Sequence, residues 1–365
     1  MGLIILFLSK RKSHRSGLSA QTAGFVSLAL KDRICANIII LALLFITLVN
    51  SPWIYAQWSN VPDSGVAVGI GAGRVLYPNI VSDGAGGAII AGGGGDIYAQ
   101  RVNASGIMQW GINGAAICTT ANNQDYPALV SDGVGGAIVA WEDGRSGGVY
   151  KIYVERINAS GEAQWLKNGI PVCTAVKNQM YPTIASDDSG GAIIVWEDHR
   201  DTNDIYGNQL YAQRISSGGE VRWNASGAAI CTARNVKDSW RIVTDGAGGA
   251  IIVWSDYRSG ADFDIYAQRI NSSGVVQWMT DGIPVCTTIY NQEDPVIVSD
   301  KMGGAILAWS DYRSGTNYDV YGQHVRAEGV EQWTVDGIPI CTEPNNQFVG
   351  AMVGDMKGGA IITWE

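Results

Sequence analysis

The chain has 365 residues, 46% of them hydrophobic and 16% charged, with a formal net charge of −9 at pH 7. Such an acidic chain lacks the basic face needed to neutralise phosphates, so no nucleic-acid partner is expected. Its three histidines, His14, His199 and His324, are scattered, and neither a Cys-x-x-Cys pair nor a Cys/His cluster occurs, so no metal site and no cofactor is expected either.

Residues 1–56 form a basic leader. Lys10, Arg11, Lys12, Arg15, Lys31 and Arg33 precede the apolar run Ile38–Val49, and the small residue Ala56 stands just before Gln57. This pattern reads as an export signal cleaved after Ala56, with an uncleaved signal anchor as the alternative and a downstream start codon as a further reading of the long leader. With six cations and one acid removed, the −9 of the whole chain becomes −14 for residues 57–365. A soluble domain that is secreted or displayed at a bacterial cell surface is expected, touching a membrane only through its N-terminal segment.

Residues 57–76 read as a lone outer strand. Gln57-Trp58 and Val66-Ala-Val68 match Gln277-Trp278 and Ile283-Pro-Val285, which close a later copy of the same pattern. A repeat then runs from Tyr77 onward. The Asp before each Gly-Gly pair falls at Asp83, Asp132, Asp187, Asp245, Asp300 and Asp355, at spacings of 49, 55, 58, 55 and 55. A Trp follows nine residues later at Trp141, Trp196, Trp254, Trp309 and Trp364, the first copy having Gly92 instead.

In the cleanest copy, four strands are expected over 241–244, 250–254, 265–270 and 275–286, because short apolar runs alternate with Gly, Asn, Asp and Ser clusters. The turn Asp245-Gly-Ala-Gly-Gly249 is a hairpin signal, since Asp bonds its own downstream backbone and Gly accepts positive φ. Ala250-Ile-Ile-Val-Trp254 is apolar throughout, so both faces of that strand must be covered. Four-stranded sheets repeated about every 55 residues predict an all-β β-propeller over 57–365, with blades packed face to face around an axis. A linear β-solenoid is the rival, but its coils run to roughly 20–30 residues. Five blades occupy 77–348, and 349–365 supplies the first two strands of a sixth. The third strand of that sixth blade is absent, so the chain reads as a C-terminally truncated fragment, six-bladed if only that strand is lost and seven- or eight-bladed if more follow.

Cys118, Cys173, Cys231, Cys286 and Cys341 share one repeat position. Equivalent points on neighbouring outer strands should exceed the roughly 7 Å Cα limit for a bridge, so no disulfides are expected. Each Cys is then read as a small buried hydrophobe.

The strongest polar signature is Trp-x-Asp-x-Arg, seen at Trp141/Asp143/Arg145, Trp196/Asp198/Arg200, Trp254/Asp256/Arg258 and Trp309/Asp311/Arg313. Residues two apart on a strand project to one side, so Asp and Arg can pair and pin the loop that follows. Two readings stand: an internal clip repeated with the fold, or one sugar pocket per blade with Trp stacking on the ring and Asp and Arg bonding its hydroxyls. Trp240 and Arg241 join the ligand-binding candidates because they fall where other copies carry Tyr-Pro. The paired acids Glu142/Asp143 and Glu197/Asp198 suggest glycoside hydrolysis, but their periodicity counts against a single active site. The remaining departures from the repeat, Gly92–Gly95 and the longer third copy around Asp198, Asp201 and Asp204, supply no acid, base and nucleophile set. No catalytic residue is therefore assigned, and the Asp spacing does not fit a calcium loop.

The units SDGVGGAIVAWEDGR and SDYRSGADFDIYAQRINSSGVVQW resemble those of uncharacterised secreted bacterial β-propeller repeat proteins over about residues 57–365. The Ser-Asp-x-x-Gly-Gly…Trp pattern is also distantly similar to the Asp-box repeats of the sialidase superfamily, though its aromatic stands further from the Gly and the superfamily's arginine triad has no counterpart. The resemblance implies a surface-exposed propeller; with no catalytic set assigned, the reading is a monomeric exported module acting as a non-catalytic surface for a protein or glycan at the cell surface, not as an enzyme. A lectin-like module with one pocket per blade and a glycosidase-like or lyase-like enzyme are the alternatives.

Overall fold

The structure, a computed structural model, describes residues 6–9, 68, 70, 75–200, 208–355 and 357–365. The expected cleavage point and nearly all of the lone outer strand lie outside the described residues, as do Asp201 and Asp204. Every described element is a strand.

The strands are β1 (Leu6–Ser9), then five four-stranded antiparallel sheets: β2 (Leu76–Ser82), β3 (Ala88–Gly93), β4 (Ile97–Val102), β5 (Ala115–Cys118); β6 (Gln124–Ser131), β7 (Ala137–Asp143), β8 (Lys151–Ile157), β9 (Ile170–Pro171); β10 (Gln179–Ser186), β11 (Ala192–Asp198), β12 (Gln209–Ile215), β13 (Ala228–Cys231); β14 (Lys237–Thr244), β15 (Ala250–Asp256), β16 (Asp264–Ile270), β17 (Ile283–Cys286); and β18 (Gln292–Ser299), β19 (Ala305–Asp311), β20 (Asp319–Val325), β21 (Ile338–Cys341). A sixth sheet pairs β22 (Val349–Gly354) with β23 (Ala360–Trp364), and β1 lies parallel to β23 at the place where the repeat offers no third strand. The inner strands β2, β6, β10, β14, β18 and β22 pack against one another in that order, so the sheets are the blades of a β-propeller.

Burial follows the sequence pattern. Every residue of β7, β15 and β19 is buried, because these strands are covered on both faces by neighbouring blades. The cores are accordingly shared between blades: Trp141 packs with Ile97 and Cys118 of the first blade, and Trp309 with Ile265 and Cys286 of the fourth.

The fourth strand of the best copy is shorter than expected, Ile283–Cys286, because the residues before it make contacts between blades instead of a ladder. Val276 forms only an isolated bridge to Ile270, and the Trp278 indole N–H donates to the Ala327 carbonyl of the next blade at 2.9 Å. Trp110, Trp165 and Trp223 bond Ala159, Ser217 and Ser272 in the same way at 3.0 Å. Each of these indoles lies against a turn glycine of the following blade. A Cβ on Gly274, which has φ +80°, would stand 2.6 Å from the Trp223 ring.

The Asp–Gly turn is the second joint. Asp245 Oδ1 accepts from the amides of Ala247 and Gly249 at 2.8 Å, closing the β14–β15 hairpin. Its Oδ2 accepts from Arg269 of β16 at 2.9 Å, and a further nitrogen of Arg269 donates to the Ala327 carbonyl at 3.1 Å. One carboxylate thus binds a turn, a third strand and the next blade. Asp83/Arg101, Asp132/Arg156 and Asp187/Arg214 repeat the pair, and His324 replaces Arg beside Asp300.

Gly274→Ala combines a disfavoured φ with a collision against Trp223, so it should destabilise the fold by about 2 kcal/mol or more. A lowered denaturant midpoint would show this, and an unchanged midpoint would mean that the blades are not joined through this contact.

Candidate functional site

The Trp-x-Asp-x-Arg residues form a closed clip. Trp141, Trp196, Trp254 and Trp309 are each 0% exposed, and each indole N–H donates to the Asp two residues on, at 2.8, 2.8, 2.6 and 2.7 Å respectively. The Arg side chains of the set, Arg145, Arg200, Arg258 and Arg313, each pair with the same Asp at 2.6 Å and lie over the Tyr ring of the third strand, with the guanidinium carbon 3.4–3.7 Å from the ring centre. In the fifth blade Arg313 also donates to the Asp336 carbonyl at 2.7 Å. With Asp143, Asp198, Asp256 and Asp311 buried as well, no indole face is open to a sugar. The clip geometry leaves no pocket of the kind imagined for each blade.

Cys118, Cys173, Cys231, Cys286 and Cys341 are free thiols, and four of them sit against these clips. Burial pushes the Cys231 thiol up to about 11 and the Cys286 thiol up to about 12, opposite to what a nucleophile needs. Among the described residues no group of acids, Cys and His is placed to hold a metal ion.

The open concavity lies elsewhere, at the end of the axis where the inner strands begin. There the inner strand of each of the first five blades makes a bulge, with ladder shifts at Leu76/Asn79, Asp125/Ala128, Met180/Thr183, Asp238/Arg241 and Glu293/Val296. At each bulge a non-glycine residue takes positive φ: Tyr77 (51°), Tyr126 (50°), Tyr181 (51°), Ser239 (52°) and Asp294 (52°). Left-handed backbone at such residues costs on the order of 1–3 kcal/mol each, and strain of this kind concentrates at functional sites. The position also corrects the register assigned to the fourth copy: Ser239-Trp240, not Trp240-Arg241, replaces Tyr-Pro.

The five residues divide by chemistry. Tyr77 and Tyr126 stack with centroids 3.9 Å apart and hydroxyls 3.1 Å apart, and Tyr126 meets Tyr181 edge-on at 4.9 Å. Across the axis Ser239 donates to Asp294 at 2.8 Å. The three tyrosines are shared by two adjoining cavities. One of about 710 Å³ extends to Glu197, Asp238, Trp240 and Arg241, and one of about 460 Å³ extends to Gly94, Asp125, Glu142 and Tyr150. Of the sequence-derived candidates, only Trp240 and Arg241 line either cavity.

Glu142 is the distinctive carboxyl here. It is 2% exposed, and burial raises its pKa to about 7, with Asp125 and Glu197 adding to the rise against the opposing hydrogen bond from the Tyr181 amide. That amide lies 2.6 Å from Glu142 Oε1. Burial also raises Asp125, whereas Glu197 carries the His199 imidazole at 2.5 Å, a bond that raises the histidine. Asp264 and Glu331 are likewise pushed up to about 7 by burial, but neither lines these cavities. Within the pairs Glu142/Asp143 and Glu197/Asp198 the two acids therefore separate, one serving the mouth and the other the clip. The sequence did carry the signal, because the residue between the clip Trp and Asp is Glu in two copies but Ser255 and Ser310 in the next two. Treating the acids as periodic concealed that difference.

No protein-family model matches the chain, and no curated protein matches it in sequence. In fold it is similar to an endo-arabinase from Bacteroides thetaiotaomicron, at 13% identity and TM-score 0.40 over 77% of this chain and 99% of that one. A thermostable family-43 glycoside hydrolase gives 10% identity and TM-score 0.41 over 76% and 97%. A protein of unknown function from Dyadobacter fermentans gives 11% identity and TM-score 0.46 over 76% and 85%. At these identities the likeness concerns the fold alone, and the neighbours cited do not bear on the Asp-box resemblance. The expectations of a non-catalytic module and of no enzyme activity are not carried forward: the solved neighbours are largely glycoside hydrolases, a likeness of fold that does not favour them.

Replacing Arg313 with Met would leave Asp311, 0% exposed, without its charge partner. Breaking such a buried pair costs about 3–5 kcal/mol, so urea titration should show a loss near 3 kcal/mol, Arg313 being partly solvated. Stability within about 1 kcal/mol of the parent would show that the clip is dispensable.

Proposed function

We propose that the mouth binds a saccharide and hydrolyses a glycosidic bond. The observation that carries this reading is a buried carboxyl, Glu142, whose pKa is raised to about 7, in the wall of a tyrosine-lined cavity that is also lined by Asp125. Glycoside hydrolysis requires a carboxylic acid able to protonate a leaving oxygen and a second carboxyl group to assist the attack. Tyr77, Tyr126 and Tyr181 line the cavity with aromatic surface against which a sugar can pack.

In this assignment Glu142 gives its proton to the glycosidic oxygen as the bond from the anomeric carbon to that oxygen breaks. A water molecule, losing its proton to Asp125, supplies the new oxygen at that carbon. Glu197 acts through Glu142, its charge favouring the protonated form, while His199 holds Glu197 in place. Exchange of protons with solvent resets both carboxyls.

Glu142→Gln should lower kcat at least about 100-fold, the usual scale for removing a general acid. Saccharide binding should persist in this variant, because the aromatic walls remain. The pH profile carries a sign: the acid must be protonated, so activity should fall as pH rises through about 7. Reducing-sugar release across a polysaccharide panel tests the rate and the pH profile, and affinity electrophoresis of the variant in gels holding the same polysaccharides tests the binding. Binding without hydrolysis in the parent protein would support the lectin-like alternative instead, and an active Glu142→Gln variant would remove Glu142 from the mechanism.

A further inference from the structure

The rim of the mouth is uneven. In the second, fourth and fifth blades the connection between the second and third strands stands at this end and spans 144–150, 257–263 and 312–318. In the first blade it is residues 94–96, three in place of seven. Gly92 stands where the other blades carry the clip Trp, with the Val75 side chain occupying the space a Cβ there would take. Among the described residues the longer connection of those blades therefore has no counterpart beside Tyr77, and the smaller cavity extends to Gly94.

The opposite end of the concavity reaches Trp240 and Arg241, three blades away. The two cavities meet at Tyr77, Tyr126 and Tyr181, so the aromatic platform forms the middle of a groove. Glu142 and Asp125 line that groove together with Gly94 of the short first-blade connection, and among the described residues no longer connection of the first blade stands beyond them. A blind pocket accepts only a chain end. A trough with one wall cut away accepts the interior of a chain.

Charge narrows the occupant. The acids lining the two cavities are Asp125, Glu142, Glu197 and Asp238, against Arg241 as the lining cation among the described residues. A uronic acid polymer would carry a carboxylate per sugar into this field, and like charges placed together cost several kcal/mol.

Resting on the hydrolytic reading above, we propose that the notch at Gly94–Asp96 and the groove leading from it to Trp240 seat an internal stretch of an uncharged polysaccharide, which is cut away from its ends. The test uses neutral polymers (xylan, arabinan, galactan, mannan and β-glucan) blocked at both ends, with polygalacturonate and alginate as charged counterparts. The full chain should release fragments of intermediate size from at least one blocked neutral polymer, with viscosity falling well before reducing ends accumulate, and should cut the polyuronates at least tenfold more slowly. Replacing Gly94–Asp96 with the sequence of Tyr312–Tyr318 should lower the ratio of polymer to trisaccharide turnover at least tenfold. If that graft does not fold, the product sizes from the unaltered chain decide. Release of a single small product, failure on blocked chains with activity on free ones, or equal cutting of polyuronates would overturn the proposal while leaving hydrolysis intact. Hydrolysis of no saccharide at all would instead overturn the function on which it rests.

Discussion

In the first four blades one carboxylate anchors the contact to the next blade. The aspartate before the Gly-Gly pair closes the first hairpin with one oxygen and holds the third-strand arginine with the other, and that arginine reaches the carbonyl of the following blade. The geometry requires a short acid at the start of the turn, amides converging on it, and a cation about 24 residues later on the facing strand. Because the same carbonyl also receives the outer indole, two donors on one blade converge on one acceptor of the next. Inter-blade spacing and tilt are thereby fixed without any disulfide or metal among the described residues, and the central strands can be wholly apolar because their flanks are always covered.

That fixed spacing makes the mouth possible. Strained backbone persists only where its surroundings over-determine it. Clips, indoles and Asp–Arg joints hold the inner strands rigidly enough to keep tyrosine, serine and aspartate in left-handed backbone at the axis. Burial then sets the electrostatics: Glu142, bonded by the Tyr181 amide and close to Asp125 and Glu197, has its pKa raised to about 7.

The fold was legible because its signals are local and repeated. Asp245-Gly-Ala-Gly-Gly249 specifies a hairpin through its own backbone bonding, and Ala250–Trp254 announces a strand covered on both sides. The shortened fourth strand was not legible, since Trp278 is committed to a carbonyl 49 residues away and nothing near it in the sequence says so. The site was hidden more deeply. Positive φ at Tyr77, Tyr126 and Tyr181 has no glycine to advertise it, and the shift that places Ser239 at the same position became apparent only from its backbone. The Trp-x-Asp-x-Arg set stands out in the sequence because it repeats unchanged in four copies, which is the property of a joint. The acids that differ from copy to copy mark the mouth.

The bulged inner position has a consequence for how such a chain can change. Every blade from the first to the fifth holds one side chain at the axis on the same backbone, so these perches work as interchangeable sockets. Exchanging a tyrosine for a serine or an aspartate at one of them alters what the mouth offers a ligand without asking the scaffold to rearrange. New specificity can then arise by single substitutions, blade by blade, while the surrounding architecture stays constant.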